Sequence, residues 1–344
     1  MKKVLLINQG HTANLGDILI SKVMSSFFLE QGFEIETLPY DDVVQNRFRL
    51  PFDKKNILPR LIERIPFVMD YANFKRINNL VKGKKFSFAV IGGGELLASH
   101  HGFNSALLMW CRLLEKKNIP VYLYGVSGDT DMSFFYKARY KRALKTCRSI
   151  SVRDHSTESI LRDYYKIKAT YYPDVVFSFW HFFKKPQIDK KNRVICIPKQ
   201  LTDRQLRTLG LRNHVDFYDY LINLVQKSGA SNIILTSTEA EDRDAILGFY
   251  RYCVNNTHYN IKLIFSPSVE EFINMLAASS CVISCRMHAC ILGLLNDTDI
   301  LPVPFKEKLA VFAKEYSDKR YAIKAMEQSY VGLLSIIKDF KELH

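Results

Sequence analysis

Hydrophobic positions along this chain switch period again and again, and the switching predicts its elements. "KVLLIN" (3–8) is a short apolar run, as a buried strand is, and "NLGDILISKVMSSFFLEQG" (14–32) then spaces its apolar residues as a helix does, with Asp17 near its start and Gly32 past its end. "FEIETLPY" (33–40) returns to a strand. Further on, "FSFAVIGGGELL" (86–97), "IPVYLYGVSGD" (119–129) and "CRSISVRD" (147–154) each give an apolar strand followed by a polar turn and a helical pattern. After "WHFFKKPQIDKKN" (180–192), a basic, proline-containing stretch that reads as a linker, the alternation restarts. Strands "RVICIP" (193–198), "NIILTST" (232–238), "IKLIFS" (261–266) and "CVIS" (281–284) alternate with helical patterns at 214–229, 241–255 and 269–280. Strands alternating with helices predict parallel, doubly wound α/β sheets. Two such runs predict two Rossmann-like domains facing a cleft, at residues 1–183 and 190–320. The remaining 321–344 read as an amphipathic C-terminal helix able to pack back on the first domain.

One segment breaks the alternation. Arg47 to Arg76 mixes Lys and Arg with Pro, Phe, Leu and Ile, and reads either as a solvated helical excursion of the first domain or as an amphipathic insertion over a membrane or an acceptor. The chain has 344 residues, 47% of them hydrophobic, enough for a core in each of two domains. Its 49 Lys and Arg outweigh 35 Asp and Glu, for a formal net charge of +14. That balance suits acidic small molecules, anionic membrane surfaces or nucleic acid. The basic residues are spread along the chain without a recognisable reading module, so nucleic acid is not expected. The apolar run at the start is too short for a signal-peptide core, and no run reaches the ~18 residues of a membrane span. Seven cysteines without a C-x-x-C pair predict reduced thiols in a cytoplasm and no metal site.

Candidate chemistry concentrates where strands end. In "SCRMHACILG" (284–293), Arg286 and His288 fall between the strand ending at Ser284 and an apolar helix over Ala289–Leu295, where free N–H groups and the positive end of the helix dipole favour an anion. Taken alone, the pair is equally readable as an Arg bound to a nearby acid beside a core histidine. The run Gly92–Gly94 ends a predicted strand. It would let a ligand approach the backbone, with N–H groups at the mouth of the next helix, or would simply form a tight turn. It is not G-x-G-x-x-G, so a dinucleotide site is poorly supported. Asp17 suits either a helix cap or a base, with Asn14 and Gly16 shaping the same turn. Arg153, after "SISV", has Asp154 and Glu158 as competing partners.

In order and spacing, "NLGD" (14–17), "IGGGELL" (91–97), "SVRDHST" (151–157), "PDVVFSF" (173–179), "SCRMH" (284–288) and "PFKEK" (304–308) resemble the polysaccharide pyruvyl transferase family over residues 4 to 310. The resemblance implies a fold similar to the GT-B glycosyltransferases. It implies an enzyme that moves the pyruvyl group of phosphoenolpyruvate onto a sugar of a bacterial surface polysaccharide or its lipid-linked precursor, forming a cyclic ketal and releasing phosphate. No cofactor is implied beyond that donor, and no metal. The location implied is cytoplasmic, with peripheral contact at the inner face of the plasma membrane as an option.

Phosphoenolpyruvate carries a carboxylate and a phosphate, so it requires at least two cationic clamps, which Arg286, Arg153 and Lys308 can supply. Ketal formation also needs a titratable acid or base, for which His288 is the best-placed candidate and Asp17 the other. Asn14, Gly16, Gly93, Gly94 and Glu95 are expected on the substrate side. The chain departs from the family pattern at "YGVSGDT" and "NDTDILPVPFKEK", where Phe305 replaces the expected Tyr and Lys306 competes with Lys308. The alternative is a GT-B glycosyltransferase using a nucleotide sugar, in which Arg286 and Lys308 would hold a diphosphate. No ribose-binding Glu stands in the apolar helix after Arg-x-His to support it.

Overall fold

Runs of consecutive apolar residues become strands covered on both faces, as central strands of parallel sheets are. The computed structural model describes residues 2–41, 66–129, 132–316 and 319–342. In it β1 (Lys3–Asn8) is buried from Val4 onward, and β3 (Phe88–Leu97) over nearly its whole length. With β2 (Glu34–Pro39), β4 (Val121–Gly128), β5 (Ser149–Val152) and β6 (Thr170–Tyr171) they form a six-stranded sheet in the order β2-β1-β3-β4-β5-β6. A five-stranded sheet follows from β7 (Lys191–Ile197), β8 (Asn232–Thr236), β9 (Asn260–Ile264), β10 (Ser279–Ser284) and β11 (Asp299–Pro302), in the order β11-β10-β7-β8-β9. Neighbouring strands are parallel throughout. The expected α/β class with two Rossmann-like sheets is therefore the one observed. Each sheet reverses its strand order once, between β1 and β3 and between β7 and β10. Ligands of such sheets bind outside the carboxyl ends at that reversal.

The first sheet's helices are α1 (Leu15–Glu30), α2 (Pro66–Val81), α3 (His101–Lys116), α4 (Phe134–Leu144) and α5 (His155–Ile160). Then come α6 (Phe179–Phe182), α7 (Asp203–Thr208), α8 (His214–Lys227), α9 (Arg243–Asn256), α10 (Val269–Ala277), α11 (Met287–Leu295), α12 (Glu307–Glu315) and α13 (Lys319–Lys341). Their starts follow local chemistry. Thr202 with Gln205 and Ser268 with Glu271 form reciprocal capping boxes at α7 and α10, and the Asn213 side chain caps α8. Of the basic segment expected over Arg47–Arg76, residues 47–65 lie outside the described part, and α2 occupies the rest.

The chain divides into two compact units. Met1–His11, Ile20–Val175 and Gln328–His344 form the first, and Thr12–Leu19 with Val176–Glu327 the second. These limits are not those of uninterrupted domains at 1–183 and 190–320, and specific bonds explain the difference. Within the second unit, Leu15 N–H donates to Thr238 O at 2.9 Å, the Phe177 and Tyr316 rings stack at 4.9 Å, and the Trp180 indole N–H donates to Leu295 O at 2.8 Å. The basic stretch 180–192 is likewise no loose linker. Lys185 pairs with Asp297 at 2.6 Å, and the Lys190 ammonium donates to Ser279 O, Asn296 O and the Thr298 hydroxyl at 3.0, 3.1 and 2.9 Å. Within the first unit, the end of α13 is held by Phe340, whose ring lies 4.5 Å from that of Phe88, and by the Tyr122 hydroxyl donating to Asp339 at 2.8 Å. Among the described residues no helix is long and apolar enough to cross a membrane.

Candidate active site

The order reversal in the second sheet places the carboxyl ends of β7 and β10 next to each other, and each strand delivers a cation two residues beyond its end: Lys199 after β7, Arg286 after β10. The turn after β10 is fixed locally. Ser284 Oγ accepts from Arg286 N–H at 2.8 Å and donates to Arg286 O at 3.0 Å, which holds Arg286 extended as the cap residue of α11. His288 follows in the first turn of that helix, half-buried.

The Arg286 fork is already engaged. Its Nε and Nη2 donate to Asp242 Oδ2 and Oδ1 at 2.9 and 2.6 Å, and Nη1 meets Glu239 Oε1 at 2.6 Å. Both acids follow β8, and the Asp242 side chain is 2% exposed. Two carboxylates share one guanidinium, so Glu239 is incompletely compensated. Burial first, and the like charge of Asp242 against the help of Arg286, raise its carboxyl above the ordinary 4.5. The bidentate clamp expected of Arg286 toward a donor is thus directed at Asp242, because a cation this buried requires a compensating anion.

The segment Thr12–Leu19 completes the cluster within the same unit. Asn14 Nδ2 donates to Glu239 Oε1 at 2.7 Å. Its Oδ1 accepts from Gly16 N–H at 2.8 Å, so Asn14, and not Asp17, caps α1. Asp17 sits in the first turn, where its carboxylate accepts from the Thr12 hydroxyl at 3.3 Å. Gly16 lies against the histidine ring: a Cβ built there would stand 2.1 Å from His288 Nδ1. Lys306 is the residue preceding α12 and Lys308 lies in its first turn, both beyond the end of β11 in this unit.

The remaining candidates belong to the first unit. Arg153 is held by Asp174 at 2.6 Å, with side chains 6% and 5% exposed, and by the Ser127 hydroxyl at 3.1 Å. Neither Asp154 nor Glu158 fills that place; Asp154 accepts from Thr157 N–H at 2.7 Å and caps α5. Glu95 is near enough to favour the Arg153 charge. The three glycines lie inside β3 and do not open a helix, contrary to the sequence expectation. Their lack of side chains serves packing, since a Cβ on Gly93 would stand 2.1 Å from Ile20 Cγ2 and one on Gly92 2.5 Å from Tyr124 O. Gly93 and Gly94 also adopt φ of +76° and +92°, which L side chains avoid.

The structure thus brings Asn14, Gly16, Asp17, Arg286 and His288 together, and holds Arg153 beside Glu95 separately. Sequence reasoning missed Lys199, Glu239, Asp242 and the role of Asp174. The available signals were a lysine directly after the apolar "ICIP" run and the acid-rich "TEAED" directly after β8.

Glu239 supplies a testable pH effect. Its folded value is raised, so its contribution to stability is fully present below about the ordinary 4.5 and is lost as pH rises through the folded value. Glu239→Gln cannot ionise. Its stability relative to the native chain is therefore expected to increase as pH rises from that point, read from urea unfolding at a series of pH values. A relative stability that falls with pH would show that Arg286 dominates the site instead.

Two parallel-sheet units, the second with charged residues at its order reversal, define a GT-B-like fold. Solved structures agree on the fold. The UDP-N-acetylglucosamine 2-epimerase of Rickettsia bellii matches with TM-score 0.57 at 10% identity, covering 99% of this chain and 96% of its own. The S. aureus MnaA complex with UDP matches with TM-score 0.56 at 11% identity, covering 100% and 97%. A glycosyltransferase from Rickettsia africae matches with TM-score 0.55 at 12% identity, covering 99% and 98%. No curated protein aligns significantly with the chain. The chain belongs to the polysaccharide pyruvyl transferase family, whose profile matches residues 14–302. It is accordingly a transferase of polysaccharide biosynthesis. The matched span takes in every candidate except Lys306 and Lys308.

Proposed function

We propose that this transferase moves the pyruvyl group of phosphoenolpyruvate onto two hydroxyls of one sugar in a bacterial surface polysaccharide or its lipid-linked precursor. The observation that carries the reading is His288, lodged against Gly16 at the strand-order reversal of the second sheet, in a chain of this family. A histidine half-buried in the first turn of a helix suits proton transfer next to a bound anion. His288 delivers a proton to the methylene carbon while one sugar hydroxyl adds to C2. Phosphate then leaves through an oxocarbenium-like state, which the second hydroxyl closes. Of the two hydroxyl protons released, one replaces the proton given to carbon and the other departs with phosphate, so the ketal forms without net oxidation. Lys199, Lys306 and Lys308 are the cations proposed to receive donor phosphate and carboxylate, with Arg153 for charge in the first unit. Arg286 positions Glu239 and Asp242 rather than gripping the donor by its fork. Asp17 is the proposed second acid/base, and no cofactor takes part beyond the donor.

Isothermal titration with phosphoenolpyruvate is expected to show micromolar-to-millimolar binding, weakened at least about tenfold in Lys199→Ala and nearly retained in His288→Ala. His288→Ala should instead lose ~10²–10⁴-fold in acceptor-dependent phosphate release. Binding of a UDP-sugar with none of phosphoenolpyruvate would replace this reading with nucleotide-sugar glycosyl transfer.

A further inference from the structure

On the first unit, α2 and α4 present aromatic side chains to solvent. Phe67 is 83% exposed, Tyr71 65% and Phe134 87%. Isolated apolar residues on a surface require no explanation, but several aromatic residues lining one groove do. Between α2, α3 and α4 lies a groove of about 620 Å³ in which Phe67, Phe74 and Phe135 alternate with Arg112, Arg139 and Arg142.

The three arginines are not equivalent. Arg139 is neutralised by a two-pronged pair with Asp70, and its Nε donates to Asn104 Oδ1 at 2.5 Å. Asp70 also accepts the Ser105 hydroxyl at 2.7 Å, so the acid is committed to that network. Among the described residues, neither Arg112 nor Arg142 makes a hydrogen bond or ion pair. Burial first, and the charge of Arg142 second, pull the Arg112 guanidinium below its ordinary value. Asp70, already paired with Arg139, offsets this only in part, so the half-buried Arg112 beside Arg142 is incompletely compensated.

We infer that this face docks the protein on an anionic phospholipid bilayer, with Phe67, Tyr71 and Phe134 entering the interface and Arg112 and Arg142 meeting lipid phosphates. Aromatic rings beside basic groups are the composition that interfacial segments use. A small soluble anion would need the arginines but not the protruding rings. A second copy on a two-fold axis would set the Arg112–Arg142 pair against itself. The inference rests on this face alone and not on the donor or acceptor, so its failure would leave pyruvyl transfer untouched.

The test is co-sedimentation of the full chain with vesicles of equal parts phosphatidylcholine and phosphatidylglycerol, compared with phosphatidylcholine alone. Binding to the anionic vesicles only is expected. Arg112→Glu/Arg142→Glu should lower that partition by roughly thirtyfold or more, and Phe67→Ser/Phe134→Ser by roughly tenfold. The same charge change at Arg204→Glu/Arg207→Glu, on exposed positions of α7, should leave it within about threefold. Circular dichroism of each variant establishes that the fold is retained. Equal loss in the control pair would reduce the effect to overall charge and overturn the inference. So would a native dimer in sedimentation velocity that Phe67→Ser/Phe134→Ser converts to monomer.

Discussion

Arg153→Ala is expected to lower the unfolding free energy by about 3–5 kcal/mol, because it removes the guanidinium that compensates the buried Asp174 carboxylate. The pair spans 2.6 Å with both side chains nearly fully buried, and the Ser127 hydroxyl accepts from the same guanidinium. The Asp174 side chain is 5% exposed, so water can do little to solvate its charge once the arginine is gone. The companion variant Arg153→Met/Asp174→Leu removes both charges and should recover most of the loss, since matched apolar groups often replace a buried pair at little cost. Urea unfolding of the three proteins decides the matter. A single-variant loss below about 1 kcal/mol would mean that the pair behaves as an exposed one.

The second large effect is catalytic. Gly16→Ala would set a methyl group 2.1 Å from His288 Nδ1, so the ring must shift to admit it. Acceptor-dependent phosphate release should fall ~10²–10⁴-fold, the usual worth of a positioned acid/base. In the His288→Ala background the same alanine should cost almost nothing further, because the obstructed ring is gone; that non-additivity is the signature of direct contact. A loss that adds in full to that of His288→Ala would place the role of Gly16 in seating Thr12–Leu19 against Thr238 instead.

Much of this was legible before any coordinates. The apolar runs at Val4–Ile7 and Ile195–Ile197 read as buried strands, and their alternation with helical spacing points to the parallel class, because side-chain period reflects backbone geometry directly. Arg286 and His288 were legible as a strand-to-helix junction for the same reason. What the Arg286 fork would meet was not legible: Asp242 and Glu239 lie more than forty residues upstream, and only the placing of β8 beside β7 and β7 beside β10 brings them to it. The glycine run shows the same limit. Three glycines can open an anion-binding turn or let a strand pass close to its neighbours, and the sequence is identical in both cases. Ile20 and the carbonyl of Tyr124 decide for packing.

The sequence by itself determined the class of fold, the family and the positions where charge gathers at strand ends. These depend on periodicity and on local order along the chain. Tertiary packing settled which charges are already compensated, that Asn14 rather than Asp17 caps α1, that the stretch 12–19 groups with the second unit, and that Asp70 is shared between Arg139 and Arg112. Ion pairing and burial are set by distances between residues remote in sequence, and local pattern carries no information about those distances.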